Sequence, residues 1–263
     1  MDNNPITLTS VSREVHRVYL EPLTLKMLER IIEQENPGAI MPTFGGNIAM
    51  HLVIFLDREG ILDRYNVRVL GTSVSGLKRY RDAGIFRKTL RDLGLPLMEA
   101  LIVHSMEECY HASRSLGFPI ILRPGFALEG IGGYLAYNVD ELREFARMAF
   151  NLSPVQEVVV ERVPADWIQF AVELIHDPVS SGKVYPVGTF EALDWGVGVH
   201  PGNSVVVTPA PTLKEDLLEK ALSVAGHIAG TMEICGSFQV RFALSPVDDE
   251  LVVLRVVYGL NRF

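Results

Sequence analysis

The segment Arg123–Gly133, RPGFALEGIGG, carries residue types that bind phosphate. A guanidinium offers a planar fork of N–H donors to two oxygens at once. Gly130, Gly132 and Gly133 supply a backbone free enough to bring amides close to an anion. Glu129 sits inside the same run, and a carboxylate there opposes phosphate charge unless it turns outward or meets a metal. A glycine cluster is weak evidence alone. Arg123 has two readings, a phosphate contact or one half of an ion pair with a local acid. The seven histidines fall in no metal-ligand spacing. Cys109 and Cys235 are too few for a disulfide framework or a cysteine metal site, and both read as core thiols.

The elements that must position this segment alternate between helix and strand. EPLTLKMLERIIEQ places Leu25, Leu28, Ile31 and Ile32 on one helical face, with Thr24 as its cap. A short strand over Ala39–Pro42 enters a glycine turn, a helix follows through NIAMHLVIFLDREG, and VRVLGTS reads as a buried strand. Short strands feeding helices through tight loops predict parallel pairing. After Asp82 come a helix (GIFRKTLRDLG), a strand (EALIV) and a helix opened by a capping box, Ser105 with Glu108. FPIILRP and GGYLAY are strands flanking the glycine run, and Asn138 with Glu141 repeats the capping box. EVVVERV, WIQFAVELIHD and VYPVGTFEAL read as antiparallel strands. A long amphipathic helix follows, with Thr212 and Glu215 as its predicted box, and SFQVRFAL and ELVVLRVV form a closing hairpin through SPVDD.

The bulk composition fits a chain of one or two domains with a substantial core: 263 residues, 48% hydrophobic and 21% charged. Lys and Arg total 24 against 32 Asp and Glu, a net charge of −8 that argues against a nucleic-acid backbone as partner. No apolar run is long enough to span a membrane, and MDNNPITLTS lacks the basic and apolar regions of a signal peptide. A cytoplasmic protein is expected.

The order and spacing of NNPITLTS, PTFGG, LGTSVSGLKRYRD, GFPIILRPGFALEGIGG, AYNVDEL, GVGVHPGNSVVVTPAPTL and FALSP resemble an ATP-grasp half of the carbamoyl-phosphate synthase large subunit. The resemblance covers nearly the whole chain. It implies α/β and α+β classes combined, a partial Rossmann-like pre-ATP-grasp domain followed by a two-lobed ATP-grasp domain. The expected divisions are 1–80, a small lobe with the glycine loop over 81–156, and a large lobe over 157–263. Against the family's full span, a member truncated at both ends is expected. In the family, MgATP lies between the lobes and its γ-phosphoryl passes to an oxygen of a small carboxylate-like acceptor, which demands cations and amides around the phosphates.

Carried over by position, the resemblance implies a nucleotide site from Arg123, Gly130, Gly132, Gly133, Glu161, Val163, Gln169, His200, Arg241 and Arg255. Glu161 to Val163 match the hinge that reads adenine, and Gln169 stands at the family's ribose-binding acid. Asn203 and Ser204 fall on the acceptor side. Other positions depart from the pattern. Asp82 and Phe86 match, but Ala83, Gly84 and Ile85 hold the places of a family arginine run and neither Arg81 nor Arg87 restores the register, so one phosphate contact is expected to be lost. Arg241, Arg255 and Val257 stand where the family keeps its Mg²⁺ ligands. Arginine has no acceptor and valine no ligand atom, so no metal site and no catalytic residue is assigned.

The reading is therefore a degenerate, non-catalytic relative with weak nucleotide or anion binding or a subunit-interaction role. ATP is its candidate cofactor and Mg²⁺ is not expected. The alternative is an active ATP-dependent ligase whose metal site is rebuilt from Glu129, Glu173 or a partner chain. The absent first strand predicts a homodimer or docking on another protein subunit.

Overall fold

The computed structural model describes residues 1, 15–125, 133–153, 155–164, 166–193 and 205–259. The chain divides into two compact units, Met1–Val74 and Ser75–Phe263.

In the first unit, helix α1 (Leu25–Glu35) starts at Thr24, whose hydroxyl accepts from the Met27 amide at 3.3 Å. It ends at Asn36 in the left-handed conformation, with the Asn36 amide donating to the Ile32 carbonyl. Strands β1 (Ala39–Ile40) and β2 (Arg68–Val69) pair in parallel, as the short-loop pattern predicts. Both are shorter than the sequence suggests. Strand β2 presents an exposed Arg68 and a half-buried Val69, and Val67 just before it is the buried residue. Helix α2 (Gly46–Arg58) needs its glycine pair. A Cβ on Gly45 would lie 2.4 Å from the Ala49 Cβ, and Gly46 has φ of 63°. Met50, Val53 and Leu56 of α2 are buried, as are Ile61 and Leu62 of the one-turn α3 (Ile61–Arg64).

The second unit opens with α4 (Val74–Arg81) and α5 (Ala83–Asp92), the latter capped by Asp82, which accepts from the Ile85 amide at 2.8 Å. Its first sheet has four antiparallel strands in the order β3-β6-β4-β5: β3 (Ala100–Val103), β4 (Ile120–Pro124), β5 (Tyr134–Ala136) and β6 (Val158–Arg162). Helices α6 (Met106–Leu116) and α7 (Val139–Leu152) cover one face, where Leu122, Val158 and Val160 pack with Cys109, Leu142 and Ala146. Both predicted capping boxes form. Ser105 accepts from the Glu108 amide, and Asn138 accepts from the Asp140 and Glu141 amides. Each glutamate reaches back one residue beyond the cap, to the amides of His104 and Tyr137 at 2.7 Å. Because β6 hydrogen-bonds to β3 and β4, this sheet runs through Arg162, past the division expected at 156.

The second sheet has the order β11-β10-β7-β8-β9, from β7 (Ile168–Asp177), β8 (Lys183–Ala192), β9 (Val206–Val207), β10 (Gly236–Leu244) and β11 (Leu251–Tyr258). Phe170, Val172 and Leu174 of β7 pair with Phe242, Val240 and Phe238 of β10 on one face, and the Phe170 and Phe242 rings stack at 5.3 Å. Helix α8 (Glu215–Thr231) buries Leu217, Ala221, Ala225 and Ile228. Its predicted Thr212–Glu215 box does not form. Lys214 takes the cap position with no side-chain bond, because the Thr212 amide donates to the Glu191 carboxylate instead. Cys109 is a core thiol, pushed up to about 11 by burial, while Cys235 is only half-buried.

Candidate anion- and nucleotide-binding cleft

Strand periodicity builds the site. In β4 and β6, Leu122, Val158 and Val160 point to the helices, so Arg123 and Glu161 stand on the opposite face. There the Arg123 Nε donates to the Glu161 carboxylate at 2.8 Å, with both side chains about three-quarters or more buried. The ion pair with a local acid, one of the two readings of Arg123, is formed through its Nε. Burial by itself would raise the Glu161 pKa. The Arg123, Arg255 and Arg87 charges outweigh it and hold the carboxylate below its ordinary range.

The second sheet contributes a parallel device. Gln239 lies opposite Glu173 in the β10–β7 ladder, and Arg241 follows two residues on, on the same face. The Arg241 Nε donates to the Gln239 carbonyl oxygen at 2.8 Å, and the Gln239 amide donates to Glu173 at 3.1 Å. Arg241 therefore reaches Glu173 through an intervening amide rather than in the direct pair that charge alone suggests. Burial pushes the Glu173 carboxyl up to about 7, against the Gln239 hydrogen bond and the Arg241 charge, and its second oxygen is buried without a partner.

Arg255 is the cross-strand partner of Arg241 in the hairpin, with a bulge just after Arg241. Two like charges directly opposite on one sheet face repel. Arg255 makes no hydrogen bond or close ion pair among the described residues. Its charge acts on Glu161 at longer range. Val257, on the same strand face, is buried against β10 and offers no polar atom.

Arg123, Glu161, Val163, Gln169, Arg241 and Arg255 line one small cavity of about 50 Å³. Six positions scattered over the sequence thus converge. Arg87 of α5 joins them, although its register in the sequence set it aside. Its Nη2 donates to the Met98 carbonyl, its Nε is buried without a partner, and burial lowers its pKa. The signal that could have found it is helical phase: Arg87 lies one turn beyond Ala83, so a side chain can enter the space left by the missing arginines. A second cavity of about 150 Å³ shares Arg87, Arg123, Glu161 and Arg255 and adds Arg81 and Gly125. Gly133 leads into β5 and lines neither cavity. Gly130, Gly132 and His200 lie outside the described residues, as do Glu129, Asn203 and Ser204. Trp167 is half-buried beside an adjoining hollow of about 630 Å³ with Asp166 and Phe118, which shares Met98, Arg162, Val163 and Pro164 with the first cavity. No group of three or more His, Cys, Asp or Glu among the described residues is arranged to hold a metal.

Two antiparallel sheets, each bearing part of an arginine-lined cleft and preceded in the sequence by a small parallel α/β unit, define an ATP-grasp protein. Residues 82–262 match the carbamoyl-phosphate synthase L chain, ATP binding domain, and residues 1–79 match the carbamoyl phosphate synthase preATP-grasp domain. The chain belongs to this family. It is 33% identical over its full length to the carbamoyl phosphate synthase large chain of Thermotoga maritima, of which it spans 24%. It is 33% identical to the large chain, N-terminal section, of Aquifex aeolicus and 34% to that of Methanopyrus kandleri, spanning 47% and 46% of them. The chain thus spans a quarter to a half of the curated relatives it matches. Among solved structures, a biotin carboxylase–β-γ-ATP complex from Campylobacter jejuni aligns with a TM-score of 0.70 at 17% identity, covering 91% of this chain and 52% of that one. The ADP complex of purK, an N5-carboxyaminoimidazole ribonucleotide synthetase, aligns at 0.67 and 19%, covering 90% and 57%. These likenesses concern the fold.

Proposed function

We propose that this chain is an ATP-grasp protein whose cleft binds a nucleotide or other anion without performing Mg²⁺-dependent phosphoryl transfer. The observation that carries the reading is Arg241 opposite Arg255 on the cleft face of the closing hairpin. Mg²⁺ needs oxygen ligands in near-octahedral array. The donors nearest these arginines do not fit it: the Gln239 oxygen already accepts from Arg241, and Glu173, which accepts from the Gln239 amide, has a raised pKa. Two fixed positive charges repel a cation from the same place. The chain's own residues bind and orient an anion there, and no transfer step follows from them.

The two sheets support a two-lobed ATP-grasp arrangement, with 81–156 in the small lobe and 157–263 in the large one apart from β6. A homodimer or docking on another subunit belongs to the same reading. Phe44, 90% exposed between the exposed Met41 and Ile48, is an apolar surface in the first unit that such a partner would cover. No described helix is long and apolar enough to cross a membrane; we place the protein in the cytoplasm, with no nucleic-acid partner. A second reading, an active ligase, draws support from the unpartnered Glu173 oxygen as a potential metal ligand.

Calorimetric titration with ATP, with and without Mg²⁺, together with phosphate release, tests the proposal. Binding without turnover is the expected result. Micromolar binding that requires Mg²⁺, with phosphate released, would favour the ligase.

A further inference from the structure

The 150 Å³ cavity has a charge balance that its own residues do not close. Arg81, Arg87, Arg123 and Arg255 line it, and Glu161 is the only carboxylate among its lining residues. Glu161 is already engaged by the Arg123 Nε. The Arg87 Nε is buried without a hydrogen-bond acceptor, and Arg255 reaches no acceptor directly among the described residues. Burying donors without acceptors is costly, and clustering guanidinium groups around one carboxylate adds repulsion. An anion with several oxygens relieves both.

Size narrows the class. Sites that enclose whole organic ligands measure roughly 300–1,000 Å³. At about 50 and 150 Å³, neither cavity encloses a nucleoside triphosphate, whereas a compact phosphate oxyanion fits the larger one. The lining there is polar at the arginines and apolar at Phe86, Val159 and Val256, and among the described residues it offers no aromatic or amide group aimed at a base beyond Tyr80 and Phe86.

We propose that this cavity is a metal-independent site for a compact inorganic phosphate anion of the diphosphate class, held by Arg87, Arg123 and Arg255. Arg87 is a binding residue, filling from the next helical turn the place left by Ala83, Gly84 and Ile85. The inference rests on the anion-binding reading above and deepens it. It sets the phosphate groups, rather than the nucleoside, as the part the chain recognises. Magnesium should oppose binding, because each Mg²⁺ on the diphosphate cancels charge that the arginines would otherwise meet.

The test is calorimetry of the full chain with sodium pyrophosphate, in EDTA and in excess Mg²⁺, with orthophosphate and ATP as parallel titrants. Pyrophosphate should bind in EDTA and bind roughly tenfold more weakly in Mg²⁺. Arg87→Gln and Arg255→Gln should each weaken it about tenfold or more, and Arg114→Gln, exposed in the last turn of α6 and outside both cavities, should change it less than about twofold. Should Arg87→Gln melt early through loss of the Met98 contact, Arg255→Gln carries the test. No pyrophosphate binding in EDTA, binding that requires Mg²⁺, or equal weakening by Arg114→Gln would each overturn the site. If ATP still binds without turnover in that case, the broader nucleotide reading stands. Mg²⁺-dependent turnover of ATP overturns that reading instead.

Discussion

Glu161 and Glu173 are both strand carboxylates beside arginines, and the fold drives them in opposite directions. Glu161 touches a guanidinium directly and feels two more, so it stays ionised below the usual carboxylate range. Glu173 is separated from its arginine by the Gln239 side chain, and burial wins, lifting it to about 7. One intervening amide reverses the outcome. The physical reason is that a neutral dipole returns less than a charge does for the same loss of water. The first carboxylate acts as the counter-ion of the arginine cavity. The second is a titratable group near neutrality in the second sheet.

The largest effect should come from removing the counter-ion. Glu161→Ala leaves Arg123, Arg87 and Arg255 without their shared partner and should cost about 2–4 kcal/mol in denaturant unfolding at pH 7. Added pyrophosphate should recover part of that loss by mass action. Glu161 also gives an acid limit. Its folded pKa is depressed, so its contribution is present above the unfolded carboxylate value of about 4.3 and lost as pH falls through the folded value.

Glu173 has the opposite sign. Its folded pKa is raised, so its contribution is complete below about 4.3 and is lost as pH rises through about 7. Glu173→Gln keeps the acceptor for Gln239 and removes the ionisation. The variant should match the parent at pH 5 and exceed it at pH 8 by on the order of 1–3 kcal/mol. Equal stability curves across that range would mean that the two carboxylates do not differ as described.

Gln239→Leu cuts the relay between them and should destabilise by about 1–3 kcal/mol, leaving the Arg241 Nε and Glu173 short of partners. The smallest effect belongs to Arg162→Ala. Arg162 pairs with Glu99 at 3.4 Å, but both side chains are more than half exposed, so thermal melting should move by less than about 1 kcal/mol equivalent. A cost like that of Glu161→Ala would show that burial is not what separates the strong pair from the weak one.

Much of the fold was legible because its signals are local. Thr24, Ser105 and Asn138 cap helices as their spacing predicts, since a cap needs only its own first turn. Thr212 fails for a tertiary reason: the Glu191 carboxylate on β8 takes its amide and the helix starts later. The strand EVVVERV is plain in the sequence, yet nothing local says which sheet it joins. It pairs with β3 and β4, not with the strands that follow it.

The candidate site divides in the same way. The residue types at 123, 161, 169, 241 and 255, and the lack of a carboxylate at 241, 255 and 257, are written in the chain, because period-two alternation fixes which side chains share a face. Tertiary structure alone decided the pairings. Arg123 meets Glu161, Arg241 meets Gln239, and Arg87 enters from a helix to stand beside them, since these depend on ladder register and on how α5 packs. Sequence set the charges; the distances between them, and so which carboxylate stays ionised, came from the fold.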